Sequence, residues 1–405
     1  MAKALEGIRV LDFTHVLAGP IATNHLVLQG AEVVKVESGV GDTMRNYGGD
    51  PDSARHAAVH GEGMGPSFVS VNSGKRSIVL DLKDERHKDV VRRLIATSDV
   101  VVENFRAGVI DRLGLGYEAC RAIRPDIIFC SISGFGQSGP LKANPAIDQI
   151  IQSMSGLMTV SGEPDSASMR VGFPIVDTFT GTLAALAITM ALLRRERTGE
   201  GQFIDVAMMD ASMVMMTSLA GPYLVAGVRP RKTGNLGYSK SPTADTFPTA
   251  DGEITLGVTR QDQFETLCRV TECTDLLVDD RFADKWSRQR HGVALRARMV
   301  EALGARSATE WESLLNAHGL AAGAVRDLPA ALSHEHVVQR GLTLDARLPG
   351  DPHARVLNAG FVFAEDPSGF SRPAPRLGEH TRQILAELGL DARVIDDITG
   401  TTTST

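Results

Sequence analysis

Short β-branched runs alternate with helical stretches through the first half of this chain, and that alternation leaves few architectures open. Ile8 to Phe13, Ala31 to Glu37, Ser77 to Leu82, Asp99 to Phe105 and Ile127 to Ser133 read as strands. Between them, helical patterns run from Ala18-Gly19-Pro20 through Leu28, from Asp84 to Thr97 and from Tyr117 to Ile123. Pro20 suits a first helical turn, where its fixed φ is pre-set and no donor is needed. Strands alternating with helices imply βαβ units and a mainly parallel sheet, an α/β fold. Such sheets bind ligands beyond the carboxyl ends of their strands. Further on, a long helix spans Thr178 to Arg197 and stops at Thr198-Gly199-Glu200-Gly201. A strand at Gln202 to Ala207 and a Met-rich helix follow. From about residue 243 to 325 the pattern is mixed, with a strand at Gly252 to Val258 and helices at Gln261 to Val270 and Gly292 to Leu303. The expected division is residues 1–205 as a large domain, 206–224 as a linker helix, 225–325 as a smaller α+β domain and 326–405 as a return to the first.

Composition removes several functions. The 405 residues carry 42 Lys and Arg against 49 Asp and Glu, a net charge of -7, which argues against a nucleic-acid binder. A local basic site for a phosphorylated ligand stays open. Cys120, Cys130, Cys268 and Cys273 lack metal-ligand spacing and read as reduced packing residues. The opening Met-Ala-Lys-Ala-Leu-Glu-Gly has no apolar leader, and Gly181 to Leu193 falls short of the ~20 apolar residues a membrane span needs. A cytoplasmic protein with no membrane partner is expected.

Standard chemical fingerprints fail. Gly114-Leu115-Gly116-Tyr117-Glu118-Ala119 fits a G-x-G-x-x-A string, but follows a polar Asp111-Arg112 stretch instead of a strand. No phosphate-loop motif and no G-x-S-x-G elbow occurs. His334 and His336 fall on different helix faces, which disfavours a metal, and no metal site is expected. Lys83, Asn104-Phe105-Arg106 and Arg112 stand after strand ends, where basic groups either meet a phosphate-bearing ligand or are solvated helix-start charges. Asp177 closes the apolar approach Gly172-Phe173-Pro174-Ile175-Val176 at the start of the long helix. A structural N-cap accounts for it. So does a carboxylate nucleophile held in a dry pocket by helix-end amides.

Ordered segments then tip the balance. Leu5 to Phe13 with His15 and Ala18-Gly19-Pro20 come first, followed by Gly30 to Glu37 and Gly41-Asp42. Lys75-Arg76-Ser77, Leu80 to Lys83 and Val102-Glu103-Asn104-Phe105 come next. Ser133-Gly134-Phe135-Gly136, Asp148, the Asp177 segment, Arg197 to Gln202 and Leu377-Gly378-Glu379-His380-Thr381 complete the series. With these segments the chain resembles the class III CoA-transferases, which include the formyl-CoA:oxalate and carnitine enzymes, over nearly its whole length.

The resemblance implies a Rossmann-like large domain, a smaller α+β domain and an interlocked homodimer. It implies a reaction between an acyl-CoA and a small carboxylic acid, with coenzyme A as co-substrate and no tightly bound cofactor. It places the nucleophile on Asp177 and a supporting carboxylate on Asp148. Coenzyme A contacts fall on Val16, Leu17, Ala18, Leu80, Lys83, Asn104, Phe105, Arg106 and Arg112, with the backbone of Asn144 to Ile147 near the thioester. Two positions depart from the formyl-CoA enzyme: Ser38 replaces a CoA-contacting arginine, and Leu17 a glutamine. Its glycine-rich flap survives only as Gly234-Asn235-Leu236-Gly237. These departures disfavour oxalate as acceptor. Many relatives pair succinyl-CoA with dicarboxylates, for whose distal carboxylate Arg45, Arg170 and Lys240 are candidates. Two alternatives remain: an acyl-CoA racemase or epimerase of the same fold, whose histidine would stand where Ile147 is, and a catalytically silent CoA-binding protein.

Overall fold

The computed structural model describes residues 3–49, 63–349 and 351–400. They form two compact units, one of the described residues up to 157, 170–228 and from 338 on, the other of residues 158–169 and 229–337.

The first unit is built on six parallel strands: β1 (Arg9–Asp12), β2 (Glu32–Glu37), β3 (Arg76–Val79), β4 (Val100–Glu103), β5 (Ile128–Ser133) and β6 (Gln202–Ala207). Their order is β3-β2-β1-β4-β5-β6. β1 lies between β2 and β4, with Val10 opposite both Val33 and Val100. The order reverses direction between β1 and β4, the kind of crevice in which doubly wound folds bind ligands. The expected α/β class and parallel sheet are therefore present.

Both faces of the sheet are covered, which is why its strands read as nearly unbroken apolar runs. Successive residues serve opposite cores. Val10, Ile128 and Cys130 pack on one side with α1 (Ala18–Leu28) and with Ala184, Ile188 and Ala191. Leu11 and Phe129 pack on the other with α2 (Glu85–Ala96) and with Ile384, Leu385 and Ile395 near the chain end. All four cysteines are buried and unpaired, in keeping with packing roles.

α3 (Asp148–Met154) packs against α4 (Ile175–Thr198), which packs against α1. The apolar stretch expected at Gly181 to Leu193 proves to be the centre of this 24-residue α4, which by length and composition alone would suit a membrane span. Val176, Thr180, Gly181, Ala184, Ile188 and Ala191 form its buried side. The Met-rich segment forms two helices, α5 (Met208–Met215) and α6 (Thr217–Ala226).

The second unit has an antiparallel three-stranded sheet, Thr246–Pro248, Glu253–Leu256 and Ala322–Ala324 in that order. Phe247, Ile254, Phe264, Leu295, Trp311 and Leu315 fill its core.

Candidate active site

Asp177 is the third residue of α4, because the helix starts at Ile175, three residues before the expected Thr178. The N-cap reading is thereby corrected: Pro174 occupies the cap position and offers no side-chain acceptor. The missing cap comes from a different helix. Oδ2 of Asp148, the first residue of α3, accepts from the backbone N–H of Val176 at 2.8 Å and of Asp177 at 3.1 Å. Oδ1 of Asp148 accepts from Gln152 Nε2 at 2.5 Å, and Gln152 Oε1 accepts from the Val171 N–H at 2.9 Å. Asp148 and Gln152, four residues apart, share one helix face and are both buried. Together they tie down the segment entering the helix of Asp177. Gln152 was not picked out from sequence; its spacing from Asp148 was the available signal.

The Asp177 carboxyl is half-buried, and burial followed by the nearby Asp148 charge pushes it from its ordinary 3.8 up to about 7. Helix-end dipoles favour the anion, but desolvation and like charge outweigh them here. One turn further along α4, Gly181 presses on α1: a Cβ there would stand 2.4 Å from the Ala18 carbonyl oxygen and 2.8 Å from Ile21 Cβ. Residues i and i+4 share a helix face, so Asp177 stands one turn from the start of α1, where Val16, Leu17 and Ala18 lie. Ile147, where a racemase would need its histidine, caps α3 and is exposed.

The turn from Thr14 to Ala18 lies at the switch point and is tightly held. Asn104, just past β4, accepts from the His15 N–H at 2.9 Å and donates to the His15 carbonyl at 2.8 Å. Asp12 accepts from the N–H of Thr14 at 2.8 Å and from its hydroxyl at 2.5 Å. Lys75 Nζ reaches Asp12 at 3.0 Å, Thr23 Oγ1 at 2.7 Å and Asn72 Oδ1 at 2.9 Å. Burial opposes the Asp12 charge, yet Lys75, Lys35 and the two threonine hydroxyls hold its carboxyl below the usual range. Burial brings the Lys75 ammonium down to about 8 despite Asp12.

The residues expected to contact coenzyme A fall into three places. Leu80, Lys83 and Phe105 line one cavity of about 320 Å³ with His15, Ser38 and Leu113. Asn104 joins it through His15, and Val16 to Ala18 continue from it into α1. Arg112 lines a separate cavity of about 480 Å³ with Lys142, Tyr117 and Phe203. The short helix Val109–Arg112 lies between, since Leu113 faces the first cavity and Arg112 the second. Arg106 is exposed in the turn that leads there. Asn144 to Ile147 run beside the end of β5, where a Cβ on Gly134 would stand 2.2 Å from Ala146 Cβ.

Sequence reasoning also missed Glu103, the last residue of β4. It is buried, receives hydrogen bonds from the Ser131 hydroxyl and the Phe105 N–H, and is pushed by burial up to about 7. Among the distal-carboxylate candidates, Arg45 is already taken. It is buried, bonds both oxygens of Glu37 at 2.8 and 2.7 Å, and stacks 3.8 Å over Phe68. Arg170 is exposed near the approach to Asp177, and Lys240 is exposed in the second unit. No group of three or more potential metal ligands occurs among the described residues.

The family model described as CoA-transferase family III matches residues 5–381. A succinate–glutarate CoA-transferase of Agrobacterium fabrum is 36% identical over 386 residues, 95% of each chain. A succinyl-CoA:mesaconate CoA-transferase of Haloarcula hispanica is 34% identical, covering 96% of this chain and 97% of its own. The crystal structure of a CAIB/BAIF family protein from Brucella suis superposes with a TM-score of 0.85 at 33% identity, over 96% of this chain and all of the other.

Proposed function

The chain belongs to CoA-transferase family III, and from that premise we propose that it moves coenzyme A from succinyl-CoA to a second dicarboxylic acid through covalent intermediates on Asp177. The observation that carries this reading is the carboxyl of Asp177: half-buried, raised to about 7, and placed beside the start of α1. A carboxylate that is poorly hydrated is a better nucleophile than one in water.

The reaction is written as four exchanges at carbonyl carbon. An Asp177 oxygen attacks the donor thioester, the C–S bond breaks, and a mixed anhydride and CoA thiolate result. The thiolate attacks the aspartyl carbonyl and expels the donor acid, leaving an aspartyl-CoA thioester. The acceptor carboxylate attacks that carbonyl and expels thiolate, forming a second anhydride. Thiolate finally attacks the acceptor's acyl carbon and restores the Asp177 carboxylate. Each step exchanges one anion for another, so no net proton is consumed.

In this reading Lys83, Arg106 and Arg112 neutralise the phosphates of coenzyme A. Leu80 and Phe105 supply apolar walls, and Val16, Leu17, Ala18 and Asn104 shape the path towards Asp177. With Arg45 committed to Glu37, Arg170 is the candidate within the first unit for the distal carboxylate. The relatives named above act on glutarate and mesaconate, which supports a dicarboxylate acceptor.

The working form in this proposal is a homodimer. Leu186, Met190 and Leu193, spaced along one face of α4, are each at least half exposed, and Leu224 and Val225 of α6 are more so. Exposed apolar residues grouped on a helix in this way are normally covered. The test of the whole reading is turnover of succinyl-CoA against a panel of free acids, analysed by mass spectrometry of the new thioesters. Formation of a dicarboxyl-CoA with release of succinate is expected. Simple hydrolysis, or α-carbon exchange with no change of acid, would contradict it.

A further inference from the structure

Three backbone groups in a row, at Thr14, His15 and Val16, are held by side chains rather than by strand or helix partners. The Thr14 carbonyl accepts from Lys35 Nζ at 2.5 Å. The backbone N–H and carbonyl of His15 are both taken by Asn104. The Val16 N–H donates to Asp42 Oδ1 at 3.2 Å, which also accepts from the Met44 N–H at 3.0 Å. Lys35 and Asp42 then meet each other at 3.1 Å, with side chains almost wholly out of water.

This scaffolding surrounds a strained residue. Val16 has φ +67°, a left-handed conformation that a β-branched side chain strongly disfavours. Its side chain is exposed, so packing does not impose the conformation. Strain of this kind persists where the surroundings over-determine it, and it clusters at functional sites. The residues that follow, Leu17 and Ala18, begin α1, on which Gly181 of α4 presses one turn along from Asp177.

We propose that Asp42, backed by Lys35, is a positioning residue for the transfer reaction: it holds Val16 in the left-handed conformation and so presets the Val16–Ala18 backbone that meets the acyl-CoA beside Asp177. The proposal rests on the transferase reading given above. Asp42 touches no substrate; it acts through Val16.

Glycine adopts a left-handed conformation without strain, and this supplies a test that a merely structural ion pair would not pass. Asp42→Ala, Asp42→Asn, Val16→Gly and the Asp42→Ala/Val16→Gly double variant are compared for kcat, for KM of succinyl-CoA, for melting temperature and for amide exchange across Thr14–Ala18. Asp42→Ala should lower kcat at least tenfold and speed exchange in that segment. Asp42→Asn keeps an acceptor for the Val16 N–H and should hold kcat within threefold, although it melts lower. Val16→Gly should cost activity in the parent but recover at least threefold in the Asp42→Ala background. Equal effects of the glycine in both backgrounds, an Asn variant as slow as the Ala variant, or unaltered exchange in Asp42→Ala would each overturn the proposal. If Asp42→Ala does not fold, the Asn variant and its exchange decide alone. Asp177→Ala, run in parallel, reports on the transferase reading: turnover equal to the parent's would sink that reading, while exchange across Thr14–Ala18 would still decide whether Asp42 holds the turn.

Discussion

Asp148 and Asp177 are joined through the backbone and opposed through their charges. The Asp148 carboxylate caps the helix of Asp177 by accepting from the N–H groups of Val176 and Asp177. The same negative charge, added to burial, discourages ionisation of the Asp177 carboxyl. One residue thus fixes the position of Asp177 and adjusts its proton affinity.

The two roles separate by substitution. Asp148→Asn keeps an oxygen for the helix but removes the charge. Its amide must also face Gln152, so one hydrogen bond is lost at a cost of about 1 kcal/mol. The acidic limb of the pH–rate profile should move to lower pH. Asp148→Ala removes the cap as well and should cost a further ~1 kcal/mol or more in denaturant melts, with a larger fall in kcat.

The pH dependence follows from the raised value of about 7. In the proposed mechanism only the anion attacks, so kcat/KM should climb with pH and level off above about 7. For stability the sign is the reverse. The folded state holds this proton more tightly than the unfolded chain, so between pH 3.8 and about 7 the Asp177 contribution falls as pH rises. Asp177→Asn should therefore be more stable than the parent at pH 8, by about 1–3 kcal/mol after allowance for partial exposure, and no more stable at pH 4. Chemical denaturation at the two pH values checks both signs.

Gly181→Ala tests the contact that places Asp177 beside α1. The added methyl meets the Ala18 carbonyl, a backbone atom that yields only if the helices part. Overpacking of this kind costs about 1–3 kcal/mol. Because the displaced helix carries Asp177, the proposed nucleophile, kcat should fall by a tenfold or larger factor, measured beside the melting temperature.

Lys83→Ala addresses the cavity of about 320 Å³. The exposed ammonium contributes long-range attraction to phosphate, which salt screens. KM for the acyl-CoA should rise by roughly three- to tenfold at low ionic strength, with kcat little changed. The difference from the parent should shrink at 0.5 M salt.

Much of the fold was legible from the alternation of strands and helices. β6 was read at its observed bounds, and each strand and helix expected up to Ser133 lies within a few residues of an observed one, while the short helices Pro66–Asn72 and Val109–Arg112 were not read. The local period carries such information because each element buries its own face. The capping of α4 was not legible, since Asp148 and Val176 are 28 residues apart and meet only in the folded chain. Nor was the fate of Arg45 visible: nothing local distinguishes an arginine paired with Glu37 from one free to hold a substrate. Lys35 and Asp42 stood in segments that marked the resemblance, but their joint hold on the Thr14–Val16 turn depends on the sheet bringing β1 and β2 side by side.

The most direct measurement is to incubate the enzyme with succinyl-CoA alone, quench with hydroxylamine, and map the adduct by peptide mass spectrometry. A hydroxamate on Asp177 is expected, formed in proportion to active enzyme and absent from Asp177→Ala. An adduct on another residue, or undiminished transfer by Asp177→Ala, would contradict the proposed mechanism.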